Sequence, residues 1–199
     1  MTGSPPPTRR LTRKEFFRET WRGLATFLYE LFGDSLDAVE QVFPEVIRPP
    51  GALPEAEFLQ RCTRCGACRA ACPHFVIRPV TRPGSFEEGT PQIVPTEAWC
   101  RLCPDFPCLA ACPTGALRRD PDHPPRIGLA VVDPRACLRP AGTSCAACQT
   151  ACPTRFRAIS FADPDAAPSV AEDRCTGCGA CAAACPALPA RAIRIHPRG

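Results

Sequence analysis

Near the N-terminus apolar residues recur at spacings of three and four: Phe17, Trp21, Leu24, Leu28, Leu31 and Phe32. That period places them on one stripe of an α-helix. Gly33 ends or bends this helix, and Asp34 or Ser35 can cap a second one carrying Leu36, Val39 and Val42. Residues 1–43 therefore read as a basic, amphipathic helical extension. A Pro-rich connector follows over 44–60, stiffest from Pro44 to Pro54. From residue 61 to 199 the helical period disappears. Short apolar runs at Val76 to Val80, Ile127 to Asp133, Ala158 to Phe161 and Ala192 to Ile195 predict strands. The Pro- and Gly-rich stretch from Arg78 to Pro95 reads as a long ordered loop that covers a site or meets a partner.

Composition changes the picture of what holds residues 61–199 together. The chain of 199 residues is 45% apolar, but 29 of those residues are Ala and 16 are Cys. Residues 61–199 keep only 24 larger apolar side chains. Burial stabilises in proportion to apolar area, at about 25 cal/mol per Å², so an ordinary core cannot be built from so few. Something besides side-chain packing must serve as interior. No uncharged apolar run reaches the ~18 residues a transmembrane helix needs.

The cysteines supply the candidate. They fall into four groups of four with none left over: Cys62, Cys65, Cys68, Cys72; Cys100, Cys103, Cys108, Cys112; Cys137, Cys145, Cys148, Cys152; and Cys175, Cys178, Cys181, Cys185. Each group ends in three residues, a Cys and a Pro: Pro73, Pro113, Pro153 and Pro186. A cubic [4Fe–4S] cluster needs one thiolate per iron. Three close cysteines can wrap three corners, while the fourth reaches the other cluster of a two-cluster unit. On this reading the fourth cysteine starts a short helical turn that leads away, and the Pro redirects the chain. Gly66, Ala67, Ala146, Ala147, Gly177 and Gly179 let backbone approach the cluster closely. Structural zinc needs two Cys pairs per metal and no Cys-Pro. A disulfide scaffold needs an oxidising compartment. Four [4Fe–4S] clusters remain the reading.

The fold class expected is α+β, with bacterial-ferredoxin-like modules built around four clusters and an N-terminal helical extension. Which groups share a module is open between two arrangements. The first and fourth groups have identical spacing, while the second and third carry insertions, so pairing like with like gives a nested scheme. Groups 62–72 and 175–185 then form one module, and 100–112 and 137–152 the other. The ligand sets become Cys62, Cys65, Cys68 with Cys185; Cys175, Cys178, Cys181 with Cys72; Cys100, Cys103, Cys108 with Cys152; and Cys137, Cys145, Cys148 with Cys112. Sequential pairing is the alternative.

The net charge of +4 is concentrated early, in Arg9, Arg10, Arg13, Lys14, Arg18 and Arg22. The remainder is near neutral and its basic residues are not interleaved with aromatics, so nucleic acid is not an expected partner. The helical stripe is expected to pack on protein. The alternative is a peripheral membrane contact, with its basic start meeting anionic headgroups. Thr12-Arg13-Lys14-Glu15-Phe16-Phe17-Arg18 resembles a twin-arginine export signal, but Lys14 replaces the second Arg and no cleavage site follows. A cytoplasmic address is expected over periplasmic export. Lys14 is the single lysine against 23 arginines, a bias that reads as a GC-rich coding preference without functional meaning. His74, His123 and His196 are the only histidines, with no nucleotide fingerprint or nucleophile constellation. No enzyme active site is expected; His74 is read as a turn residue with the option of bonding cluster sulfur.

Arg48-Pro49-Pro50-Gly51-Ala52-Leu53-Pro54, then Glu57-Phe58 and Cys62-Thr63-Arg64-Cys65-Gly66, resembles the MauM/NapG ferredoxin-type proteins. So do Gly89-Thr90-Pro91, Cys100-Arg101-Leu102-Cys103-Pro104-Asp105-Phe106-Pro107-Cys108 and Cys112-Pro113-Thr114-Gly115-Ala116-Leu117, as does the gap after Cys137. The second spacing is also similar to iron–sulfur subunits of molybdopterin oxidoreductases, and that resemblance implies the nested pairing. The family resemblance implies an electron carrier or electron-transfer subunit. It would relay electrons through four [4Fe–4S] clusters between a membrane quinol-oxidising donor and a reductase or dehydrogenase. A cytoplasmic accessory factor that grips a client oxidoreductase is the competing expectation.

Overall fold

The computed structural model describes residues 45–120 and 125–197. The N-terminal extension expected over residues 1–43, and His123, lie outside them. The described elements are α1 (Glu55–Arg61), α2 (Ala67–Ala70), β1 (Ile77–Pro79), β2 (Pro91–Ile93), α3 (Pro107–Ala110), β3 (Gly128–Val132), α4 (Ala147–Ala151), β4 (Ile159–Ser160), β5 (Ser169–Val170), α5 (Ala180–Ala184) and β6 (Ile193–Pro197). None of the described helices is long and apolar enough to cross a membrane.

Helix α1 starts after Pro54, carries Glu55 and Glu57 in its first turn and Arg61 in its last, and buries Phe58 completely. Acid at the start and base at the end both suit the helix dipole. The N–H of Cys62 donates to the Phe58 carbonyl at 2.8 Å, so the first ligand candidate sits at the helix terminus. Beside α1, the buried Arg48 donates to Glu55 through Nε (2.9 Å) and Nη2 (2.5 Å). Its Nη1 reaches the Thr90 hydroxyl at 2.7 Å and the Pro91 carbonyl at 3.0 Å, and the guanidinium lies 4.6 Å from the Phe58 ring centre.

The other four helices are single turns, and each contains the third cysteine of a group: Cys68, Cys108, Cys148 and Cys181. The expectation that the fourth cysteine starts a helical turn is corrected here. Each turn begins one residue before the third cysteine and stops at or just before the fourth. Proline explains it, because a residue preceding Pro is pushed out of the helical region. Cys152 and Cys185 accordingly take ψ of 123° and 121°.

All four expected strands form, and two unexpected ones complete them. β1 pairs antiparallel with β2 (Ile77↔Ile93), β4 with β5 (Ile159↔Val170), and β3 with β6 (Gly128↔Pro197 through Val132↔Ile193). A single antiparallel bridge joins Ala52 to Leu117. The stretch from Arg78 to Pro95 is therefore a hairpin rather than a plain loop. Its pairing continues past β1 and β2 through Gly89 N–H to Val80 O and Val80 N–H to Thr90 O, at 2.9 and 2.8 Å.

One logic repeats twice. The chain just after the first group of a pair is antiparallel to the chain just before the second. The chain before the first group meets the chain after the second, as a bridge at Ala52–Leu117 and a full ladder at β3–β6. This gives module A, holding groups 62–72 and 100–112, and module B, holding groups 137–152 and 175–185. The nested division is thus overturned: groups 62–72 and 175–185 do not share a module, nor do 100–112 and 137–152. Spacing similarity carried no geometric content, whereas an antiparallel return closes a short loop at lower entropic cost than the nested scheme requires.

Candidate iron-sulfur sites

The cores are thin in aliphatic carbon and rich in sulfur. One buried cluster mixes Phe58, Val76, Ile77, Ile93 and Leu109 with Cys68, Cys72, Cys100 and Cys108. Another mixes Ile159, Ile193 and Ile195 with Cys148, Cys175 and Cys181. All sixteen cysteines are free. These cysteines line four cavities, four to each. The first is lined by Cys62, Cys65, Cys68 and Cys112. The second takes Cys100, Cys103, Cys108 and Cys72, the third Cys175, Cys178, Cys181 and Cys152, and the fourth Cys137, Cys145, Cys148 and Cys185.

Every trio predicted from the sequence is brought together, but every fourth partner differs from the nested sets. Cys112 replaces Cys185 beside Cys62, and Cys72 replaces Cys152 beside Cys100. Cys152 replaces Cys72 beside Cys175, and Cys185 replaces Cys112 beside Cys137. In each group the single turn that starts one residue before the third cysteine leads into the Cys-Pro step, and the fourth cysteine lines the cavity of the neighbouring group of the same module.

The loops between the first and second cysteines are shaped for an anion. Arg64, Leu102 and Gly177 each precede a second cysteine, and each has positive φ: 58°, 50° and 68°. Left-handed backbone costs a non-glycine residue about 1–2 kcal/mol, and it turns successive N–H groups into an anion-binding concavity. Backbone N–H groups reach sulfur at 3.4 Å three times: Leu102 to Cys100, Leu117 to Cys112 and Ala130 to Cys175. Among the described residues, no group of three or more His, Cys, Asp or Glu side chains is arranged around a single metal ion. Four sulfurs around a cavity, with amides aimed at them, fit a polynuclear thiolate-bound cluster.

Electrostatics separates the sites. Burial pushes the Cys68 and Cys108 thiols up to about 11, and the Cys100 and Cys181 thiols up to about 12. Burial also raises Cys148 and Cys178. At Cys112 burial pushes the same way but is outweighed by the Leu117 N–H, the Thr114 hydroxyl and further amides, so the thiol sits below its ordinary value. His74 is exposed at the rim of the second cavity, and His196 is exposed on β6.

Sequence reasoning missed the arginines. Arg64 donates to the carbonyls of Phe86 and Glu88, both at 2.8 Å, which fastens the hairpin loop beside the first cavity. Arg126 holds the Glu172 and Asp173 carbonyls (3.0 and 2.6 Å), and Arg155 those of Arg101 and Leu102 (3.0 and 3.1 Å). With few ladders available, loop carbonyls need other donors, and a planar five-donor guanidinium supplies them where lysine does not. The excess of Arg over Lys was the available signal.

Models of the 4Fe–4S dicluster domain match residues 61–116, 99–156 and 129–186. The first spans module A's cysteine groups, and the last runs from within β3 to just past Cys185. A methylamine utilization ferredoxin-type protein MauM of Methylorubrum extorquens is 40% identical, over 82% of this chain and 78% of the relative. This chain belongs to the MauM/NapG family of ferredoxin-type proteins. MauM of Paracoccus denitrificans is 39% identical over 96% of this chain and 89% of its own length. The ferredoxin-type protein NapG of Escherichia coli is 37% identical over 66% and 62%. No solved structure matches the chain. The dicluster-domain matches indicate [4Fe–4S] clusters, and the sixteen cysteines of this chain are compatible with four of them.

Proposed function

We propose that the protein is an electron carrier with four [4Fe–4S] clusters in one row, and that it has no substrate chemistry of its own. The observation that supports this best is the gathering of all sixteen cysteines into four separate sets of four, with neighbouring sets in touch. Helices α2 and α3, which carry Cys68 and Cys108, pack together within module A. The N–H of Cys100 donates to the Cys178 carbonyl across the two modules. Helices α4 and α5 pack together within module B. The row then runs from the Cys62 set to the Cys100 set, the Cys175 set and the Cys137 set, with the last two reversed relative to the sequence.

Each bound cluster would supply a one-electron couple. The chain's own residues hold the row. Trios and their partner cysteines fix each position, buried aliphatic and alanine side chains exclude water, and amides aimed at sulfur stabilise negative charge. Cys65 is exposed, which supports electron entry or exit at that end. The ferredoxin-type name of the MauM and NapG relatives supports a redox partner, and we take that partner to be an oxidoreductase, either membrane-associated or of the molybdopterin type.

The test is anaerobic reconstitution followed by iron and sulfide analysis and paramagnetic resonance. Roughly sixteen irons per chain and four one-electron couples are expected. Fewer than about twelve irons, or clusters that accept no electrons, would defeat the assignment.

A further inference from the structure

We propose that Arg139 acts as a fixed buried cation that raises the reduction potential of the cluster held by Cys137, Cys145, Cys148 and Cys185. The inference rests on the cluster assignment proposed above. Arg139 lines that cavity and is only 9% exposed. Its Nη1 donates to the Cys145 carbonyl at 2.9 Å and its Nε to the Ala166 carbonyl at 3.0 Å. Its Nη2 donates to the carbonyls of Asp163, at 3.4 Å, and Pro164. The Phe161 ring covers the guanidinium at 4.0 Å. Every one of these partners is neutral, and among the described residues no carboxylate pairs with Arg139.

The other buried arginine is different, because Arg48 is neutralised by Glu55. The remaining cavities are also lined by arginines, namely Arg64, Arg69, Arg78, Arg101 and Arg174. Those five are exposed, where water and salt screen their charge. A guanidinium keeps its proton at any working pH. One-electron reduction adds a negative charge to the cluster and its thiolates, with no bond made and no proton moved. A nearby unscreened cation therefore favours the reduced form over the oxidised one. Arg191 adds a second guanidinium on the same set, donating to the Cys185 carbonyl at 2.6 Å.

The experiment is an anaerobic potentiometric titration of the full chain, followed by paramagnetic resonance, in four forms: wild type, Arg139→Gln, Arg139→Lys and Phe161→Glu. The Phe161→Glu change sets a carboxylate against the guanidinium while leaving its carbonyl contacts in place. Arg139→Gln and Phe161→Glu should each lower the same single couple. At fixed ambient potential its reduced-to-oxidised ratio should fall about tenfold, which is ~59 mV for a one-electron couple. Arg139→Lys, which keeps the charge, should stay near wild type. If Arg139→Gln fails to load iron, Phe161→Glu decides. Unchanged couples in iron-replete Phe161→Glu protein would overturn the proposal, as would a lysine variant shifted as far as the glutamine one. Missing iron in the wild type would instead defeat the cluster assignment itself.

Discussion

The backbone N–H of Cys100 donates to the carbonyl of Cys178 at 3.0 Å, so a ligand loop of module A is bonded directly to a ligand loop of module B. The contact surrounding it is tight. A Cβ on Gly177 would lie 2.3 Å from the Gly128 nitrogen, and one on Gly179 would lie 2.7 Å from the Pro95 side chain. By contrast, a Cβ on Gly66, also at positive φ, would meet nothing within 4 Å.

That difference gives a graded expectation. Gly66→Ala carries backbone strain alone, about 1–2 kcal/mol. Gly177→Ala carries the same strain plus a clash with backbone that cannot give way. Thermal unfolding of the loaded protein should show a larger loss for Gly177→Ala, at about 2–4 °C per kcal/mol for a chain of this size. Equal losses would mean that the packing of the Gly177 loop on Gly128, at the start of β3, is looser than described.

Ligand exchange separates the sequential sets from the nested ones. Cys112→Ser should change the same paramagnetic signal as Cys65→Ser, because both line the first cavity. Cys72→Ser should change the same signal as Cys103→Ser. Under nested pairing Cys112 would instead perturb the signal shared with Cys145. Replacing Cys108 should remove one cluster and lower the melting temperature, since the cluster stands in for missing core.

Cluster loading should depend on pH unequally across the sites. Ligation needs thiolate, so a thiol raised by burial must give up its proton against a larger cost, and that cost shrinks as pH rises towards the raised value. The second set contains both Cys100 and Cys108, held up near 12 and 11. The first set has one strongly raised thiol, Cys68 at about 11, but also Cys112, held below its ordinary value. Between pH 7 and 9, reconstitution of the second set should therefore fall more steeply with acid than that of the first. Variants retaining one set at a time, assayed for bound iron across this range, would show it; parallel curves would refute it.

Arg48 ties the connector to α1 and to the hairpin. Arg48→Met should cost about 1.5–3 kcal/mol, the scale for lost hydrogen bonds to a charged group. Glu55 is half exposed and can be re-solvated, so the carboxylate left behind adds little. Chemical denaturation of the loaded protein measures the loss; unaltered stability would mean that the buried arginine contributes no net binding of the hairpin.

Much of the site was legible from spacing alone. Three cysteines close in sequence must lie close in space, so each trio followed from local chain geometry, and Cys-Pro marked where every helical turn stops. The strands at residues 77–79, 128–132, 159–160 and 193–197 were legible from apolar runs. β2 and β5 were not, because Pro91-Gln92-Ile93 and Ser169-Val170 carry almost no periodic signal and gain their extended form from their partners. Arg139 was invisible for a related reason. Nothing near it in sequence announces that the carbonyls of Asp163, Pro164 and Ala166 will arrive around it.

The sequence by itself determined the chemistry on offer: sixteen cysteines in four groups, a close trio in each, and few large apolar side chains to form an interior. The tertiary structure alone decided which fourth cysteine lines each cavity, that Cys100 and Cys178 are bonded across the modules, and which arginine lost its water. The trios depend on bonds within a few residues. The rest depends on antiparallel returns that bring residues dozens of positions apart into register, and spacing holds no record of those returns.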